Sequence, residues 1–165
     1  MEQHNSVKDI VRNFGVEPDC IESEQAVLGA ILRNNALWSE IRGCLPEVVF
    51  YREDHRRIYS HISRLLTYGK PASIEHLKTA MASCEADALE KTVSYLEELV
   101  ATAPDATTIP GHVRIVQKRY FLRRLLEAQD ELGLCLQAKD RSGFSLLPFL
   151  ADIFGDSFLI EGFPR

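Results

Sequence analysis

The chain has 165 residues, 45% of them apolar and 26% charged, which places it among ordinary globular proteins and excludes extended disorder or a low-complexity tether. A net charge of −5, from 19 basic and 24 acidic residues, argues against a dedicated nucleic-acid or membrane-surface binder. The longest apolar run, Ala26 to Leu32, falls far short of the roughly 20 residues that a membrane span needs, and the N-terminus shows no signal-peptide core. No membrane partner and a cytoplasmic location are therefore expected.

Helical periodicity runs through almost the whole chain, so the expected fold is all-α. Val7, Ile10, Val11 and Phe14 make a short amphipathic arm within residues 1–17, ended at Gly15. Asp19, with Glu22 three residues on, reads as a capping box for the next helix. That helix is apolar nearly all round from Ala26 to Leu32, the mark of a central helix, and Gly29 within it suggests close passage of another helix. A short helix from about Ala36 to Cys44 is stopped by Pro46. Asp54 is placed to cap the following helix, whose positions Ile58, Tyr59, Ile62, Leu65 and Leu66 keep the 3.6-residue period until Gly69 and Pro71. Ser73 opens a helix through Leu77 and Met81, and a polar stretch, Ser83–Glu90, precedes another through Val93, Leu96, Leu99 and Val100. Only Val48–Tyr51 resembles a strand.

Pro104, Asp105, Pro110 and Gly111 mark residues 104–111 as a linker between a helical head, 18–103, and a hairpin-like region, 112–165. The long helix expected from about His112 to Gln137 carries two apolar lines. Val113, Val116 and Tyr120 form one; Phe121, Leu125, Ala128, Leu132 and Cys135 form the other at 4-3-4-3 spacing. Two apolar faces on one helix need two covering surfaces, so Val113, Val116, Tyr120, Phe121, Leu125 and Leu132 are candidate contacts with a partner chain. Five of the eight Phe residues fall in the last 22 positions, a tail that suits packing back onto the long helix or onto a partner.

Chemistry-bearing motifs are missing. The lone Gly69-Lys70 pair has Arg64 and Pro71 where a P-loop needs glycine and a hydroxyl. The four cysteines form no Cys-x-x-Cys pair and the five histidines are scattered, so no metal, no cofactor and no catalytic residues are expected. His55 reads as a capping or surface residue on a polar helix start. Arg114, Lys118, Arg119, Arg123 and Arg124 place five positive charges within eleven residues. They read first as a solvated face supported by Glu127, and second as a stripe for DNA or an acidic partner.

In series, Pro18-Asp19-Cys20-Ile21-Glu22-Ser23-Glu24-Gln25-Ala26-Val27-Leu28-Gly29, then Trp38, Leu45, Phe50-Tyr51, His55-Arg56-Arg57-Ile58-Tyr59, Gly69-Lys70-Pro71, Tyr95-Leu96 and the Thr102/Pro104 turn resemble the N-terminal domain of DnaB-type replicative DNA helicases over residues 18–126. Glu22, Glu24, Gly29, Phe50, His55 and Tyr59 are the positions that carry the family pattern. The resemblance implies an all-helical head followed by a two-helix hairpin, without catalysis. It also implies homo-oligomerisation and contact with a replicative helicase, primase or helicase loader, with direct DNA binding as the lesser alternative. The family's RecA-like motor is missing, and the Phe-rich second arm, with Pro148 and Gly155, is atypical. That combination favours a stand-alone product of a mobile element over an excised domain.

Overall fold

A computed structural model describes residues 20–81 and 86–137, with the backbone alone for 86–89 and 131–137. The described residues are all-α. Six helices follow in order: α1 (Ile21–Arg33), α2 (Leu37–Ile41), α3 (Glu53–Thr67), α4 (Ile74–Ala80), α5 (Ala86–Ala101) and α6 (Ile109–Gln137). Short 3₁₀ turns stand at Glu47–Val49 and Ala106–Thr108, and no strand occurs among the described residues. Val48–Tyr51 is thus a turn followed by extended backbone at Phe50, not a strand.

The near-continuous apolar run of α1 makes it the central helix: it packs against α3, α5 and α6, and buries every residue from Ala26 to Ile31. Gly29 is required by that arrangement. A Cβ built there would stand 2.1 Å from the Leu99 carbonyl oxygen of α5 and 2.9 Å from its carbon, so the two backbones touch across the glycine. Around α1 the core gathers Trp38, Ile41, Leu45, Phe50, Ile58, Ile62, Leu77, Leu96 and Leu99. Phe50 and Tyr59 meet with ring centres 4.9 Å apart.

Helix ends obey local chemistry with some changes from the sequence reading. At the end of α3, Gly69 takes φ +71°, its N–H donates to Leu66 O, and Lys70 N–H donates to Leu65 O. Those two bonds are the Schellman closure that the Gly-x-Pro signal suggested. Ser73 caps α4 by accepting from His76 N–H. Asp54 does not cap α3; the capping position is Arg52, and Asp54 sits in the first turn, where it accepts from His55 N–H and pairs with Arg52. That guanidinium holds the Asp54 carboxyl below the usual carboxylate range. Asp19 lies outside the described residues; α1 begins after Cys20, whose side chain makes no cap, and Glu22 is exposed. The amphipathic arm and the Phe-rich tail also lie outside them.

The segment read as a linker is short and ordered. Asp105 accepts from Thr107 N–H at 3.4 Å, and α6 already begins at Ile109, with Pro110 in the first turn, where its missing N–H costs no hydrogen bond. Because Ile109, Val113, Val116 and Tyr120 all belong to the head's core, the first three turns of α6 are packed as part of the head.

Candidate functional site

Two features hold α6 in place and decide what it can offer. The first is a polar network inside the head. Glu24 on α1 is buried, and its carboxylate accepts from Tyr51 N–H and, at 3.4 Å, from Arg52 N–H. It also meets His55 Nδ1 at 2.6 Å; His55, on α3, is 0% exposed. His55 Nε2 lies 2.7 Å from the Tyr95 hydroxyl of α5, which also accepts from Gln25 Nε2 at 2.9 Å. In the arrangement that satisfies every group, Tyr95 O–H donates to Nε2 and Nδ1–H donates to Glu24. The imidazole and phenol rings stack 5.9 Å apart, and Arg52 lies over the Tyr95 ring. His55 is therefore no surface residue. It joins α1, α3, α5 and the 50–52 segment, and its buried partners satisfy its polar atoms on both sides.

The second feature is the split surface of α6. Val113, Val116 and Tyr120 are buried in the core of this chain's own head, which corrects their expected role as partner contacts. The physical reason is geometric: they recur on the side of α6 that faces α1, so the head itself covers that line. Buried Gln117, on the same side, donates to Cys44 O at 2.7 Å, and Arg123 donates to Val49 O at 2.6 Å. Arg123 also lies 5.4 Å over Tyr51 and 5.7 Å over Tyr120, and burial lowers its pKa from the ordinary arginine value. The other apolar line remains at the surface: Phe121 is half-buried and Leu125 is 36% exposed. Leu132 continues that line in sequence, on a part of α6 described by its backbone alone. Ile115, 38% exposed, stands on the side opposite the head together with half-buried Leu122 and Leu126.

The five cations do not share one face. At 100° per residue, Arg114 and Lys118 point one way, Arg119 and Arg123 another, and Arg124 lies towards the head side. Arg114 and Lys118 are exposed, Arg124 pairs with Glu127 at 3.0 Å, and Arg123 is bound into the head as above. Glu127 thus supports the cluster at i+3 from Arg124, not at i+4 from Arg123 as the spacing suggested. No group of three or more potential metal ligands gathers among the described residues, and no described helix is long and apolar enough to cross a membrane.

A family model of the DnaB-like helicase N-terminal domain matches residues 16–118. The chain belongs to that family. Within the DnaB family it is 31% identical over 137 residues to the replicative DNA helicase DnaB of Geobacillus stearothermophilus, covering 76% of this chain and 30% of that protein. The replicative DNA helicase DnaC of Bacillus subtilis is 35% identical over 124 residues, covering 73% of this chain and 27% of that protein. This DnaB-family chain therefore spans less than a third of these curated relatives, and the family match is confined to the N-terminal domain. The crystal structure of the N-terminal domain of DnaB helicase from Mycobacterium tuberculosis superposes with a TM-score of 0.67 at 24% identity, covering 86% of this chain and 97% of that one, which shows the common fold.

Among the family-pattern residues, the structure gathers Glu24 and His55 into the buried network, Phe50 and Tyr59 into the core, and Gly29 into the α1–α5 contact. Glu22 joins none of these. Sequence reasoning gave no anchoring role to Gln25, Tyr95 or Gln117. Tyr95 carried a signal only as part of the resemblance; for Gln25 and Gln117 the only hint was a polar residue set among apolar neighbours on a helix.

Proposed function

We propose that this chain is a non-catalytic interaction and oligomerisation module of DNA replication. In this reading the head is a rigid platform, and α6 presents its second apolar line to another helix. The observation that carries the reading is the division of α6. The head consumes Val113, Val116 and Tyr120, whereas Leu125 keeps 36% of its surface beside Phe121. Spacing of four and three residues along Phe121, Leu125, Ala128 and Leu132 is the seam by which two helices pair. Burying a leucine or phenylalanine fully contributes about 1.5–3 kcal/mol, so a few such residues from each of two chains support a specific association.

The partners favoured are a second copy of this chain and a replicative helicase, its primase or its loader, because the relatives are replicative helicases matched over their N-terminal domains. ATP-driven unwinding is not assigned to this chain, whose only Gly-Lys lacks the P-loop context. Scattering of the cations around α6 favours protein contact over a continuous DNA-binding stripe. Co-purification of the tagged chain with the replicative helicase and primase of the same cell tests the reading. Retention of either, lost on Phe121→Ser with Leu125→Ser, supports it; a monomer that retains neither refutes it.

A further inference from the structure

A cleft of about 280 Å³ lies between the 48–56 segment and α6. Its floor is formed by Val48, Phe50, Tyr51 and Tyr120, and Val48 and Tyr51 remain about half exposed. Three guanidiniums, Arg56, Arg123 and Arg124, surround it against the single carboxylate of Glu127. The volume is smaller than the roughly 300–1,000 Å³ of pockets that enclose whole small-molecule ligands, and suits one or two side chains of a peptide. With Arg123 over both tyrosine rings, the floor offers a further ring an edge-to-face or offset contact.

The chain carries a segment of complementary chemistry. Residues 144–164 contain five phenylalanines and the carboxylates of Asp152, Asp156 and Glu161, without a lysine or arginine. On a protein of net charge −5, such a segment is repelled by most of the surface and drawn to an arginine rim. Its length also fits. Gln137 ends α6 14 residues past Arg123, about 21 Å along the axis. The 28 residues from 138 to 165 span about 42 Å even at helical rise. A chain reversing near Ser142-Gly143 comes level with Arg123 at about residues 158–162, beside Phe158 and Glu161.

We propose that residues 154–163 of this chain dock in cis into this cleft, seating a phenylalanine on the Tyr51–Tyr120 floor and setting Asp156 and Glu161 against Arg56 and Arg124. Docking closes the junction between head and α6 and covers apolar surface that the head leaves open at Val48 and Tyr51.

Chymotrypsin cleavage after Phe154, Phe158 and Phe163, followed by mass spectrometry on the full chain, tests this. The double substitution Arg56→Glu with Arg124→Glu is expected to speed tail cleavage about 10-fold at low salt, equivalent to losing about 1.4 kcal/mol of docking free energy. Asp156→Lys with Glu161→Lys leaves the head's own sequence intact and is expected to do the same. Combining the two sets restores protection. Unchanged cleavage in both doubles, with helical content retained, overturns the proposal. Protection that grows with protein concentration also overturns it, because the occupant is then the tail of a second copy.

Discussion

Glu24→Ala removes the one carboxylate that joins α1 to α3 and to the 50–52 segment. The substitution leaves the Tyr51 N–H and the His55 Nδ1–H buried without their acceptor. Each buried polar group deprived of its partner costs about 1–3 kcal/mol, and breaking a buried pair from one side about 3–5 kcal/mol. Domains of this kind are stable by about 5–15 kcal/mol in total, so a loss near 4 kcal/mol is a large fraction of the whole. With a urea slope of about 2 kcal/mol per M, the midpoint should fall by about 2 M in a circular-dichroism titration. Glu24→Gln keeps an acceptor for Tyr51 N–H and should lose markedly less. Glu24→Ala with His55→Ala should be non-additive by about 1–3 kcal/mol, since the first substitution has already broken the shared bond. A fall under about 0.5 kcal/mol for Glu24→Ala, with additive single and double losses, would show that the network does not hold the head together.

Gly29→Ala replaces the poorest helix former short of proline, a gain of about 1 kcal/mol in propensity, yet its Cβ meets the Leu99 backbone; a net loss of at least about 2 kcal/mol in urea unfolding is expected, and a neutral result would refute the close α1–α5 contact. Gly69→Ala has space around it but must hold φ +71°, so the melting temperature should drop by the equivalent of about 1 kcal/mol, less for Gly69→Asn. Burial, ahead of the Cys44 charge, pushes the Tyr59 hydroxyl up to about 12 from the ordinary 10, so between those pH values the folded state holds a proton that the unfolded state releases. Stability should therefore fall as pH climbs through that window. Tyr59→Phe should flatten the fall without removing it, because burial also raises the Cys44 and Tyr95 pKa values; an equally steep decline in the variant would contradict the assignment.

Much of the head was legible because its signals are local. Gly29 stood out as a residue without a side chain inside an all-apolar helix, and Leu99 now stands against it. Gly69 and Pro71 announced the end of α3, and Ser73 the start of α4, through bonds that span only a few residues. His55 misled for the opposite reason. Its own helix turn is polar, while its partners Glu24 and Tyr95 lie 31 and 40 residues away, where no periodicity can reach. In α6 the sequence displayed both apolar lines but could not say which one the head covers; that depends on how α1 sits against Val113 and Val116. Likewise, closeness in sequence made five cations look like one stripe, whereas helical rotation separates them and Val49 O draws Arg123 inward.

The most direct test of the account is the mass of the full chain in solution, measured by sedimentation equilibrium across a range of concentrations, alone and with Phe121→Ser and Leu125→Ser. Reversible self-association of the unaltered chain, abolished by the two substitutions while helical content and the urea midpoint hold, is the predicted result. A single species of 18.7 kDa at every concentration, in both proteins, would contradict the claim that the outer line of α6 pairs with another copy.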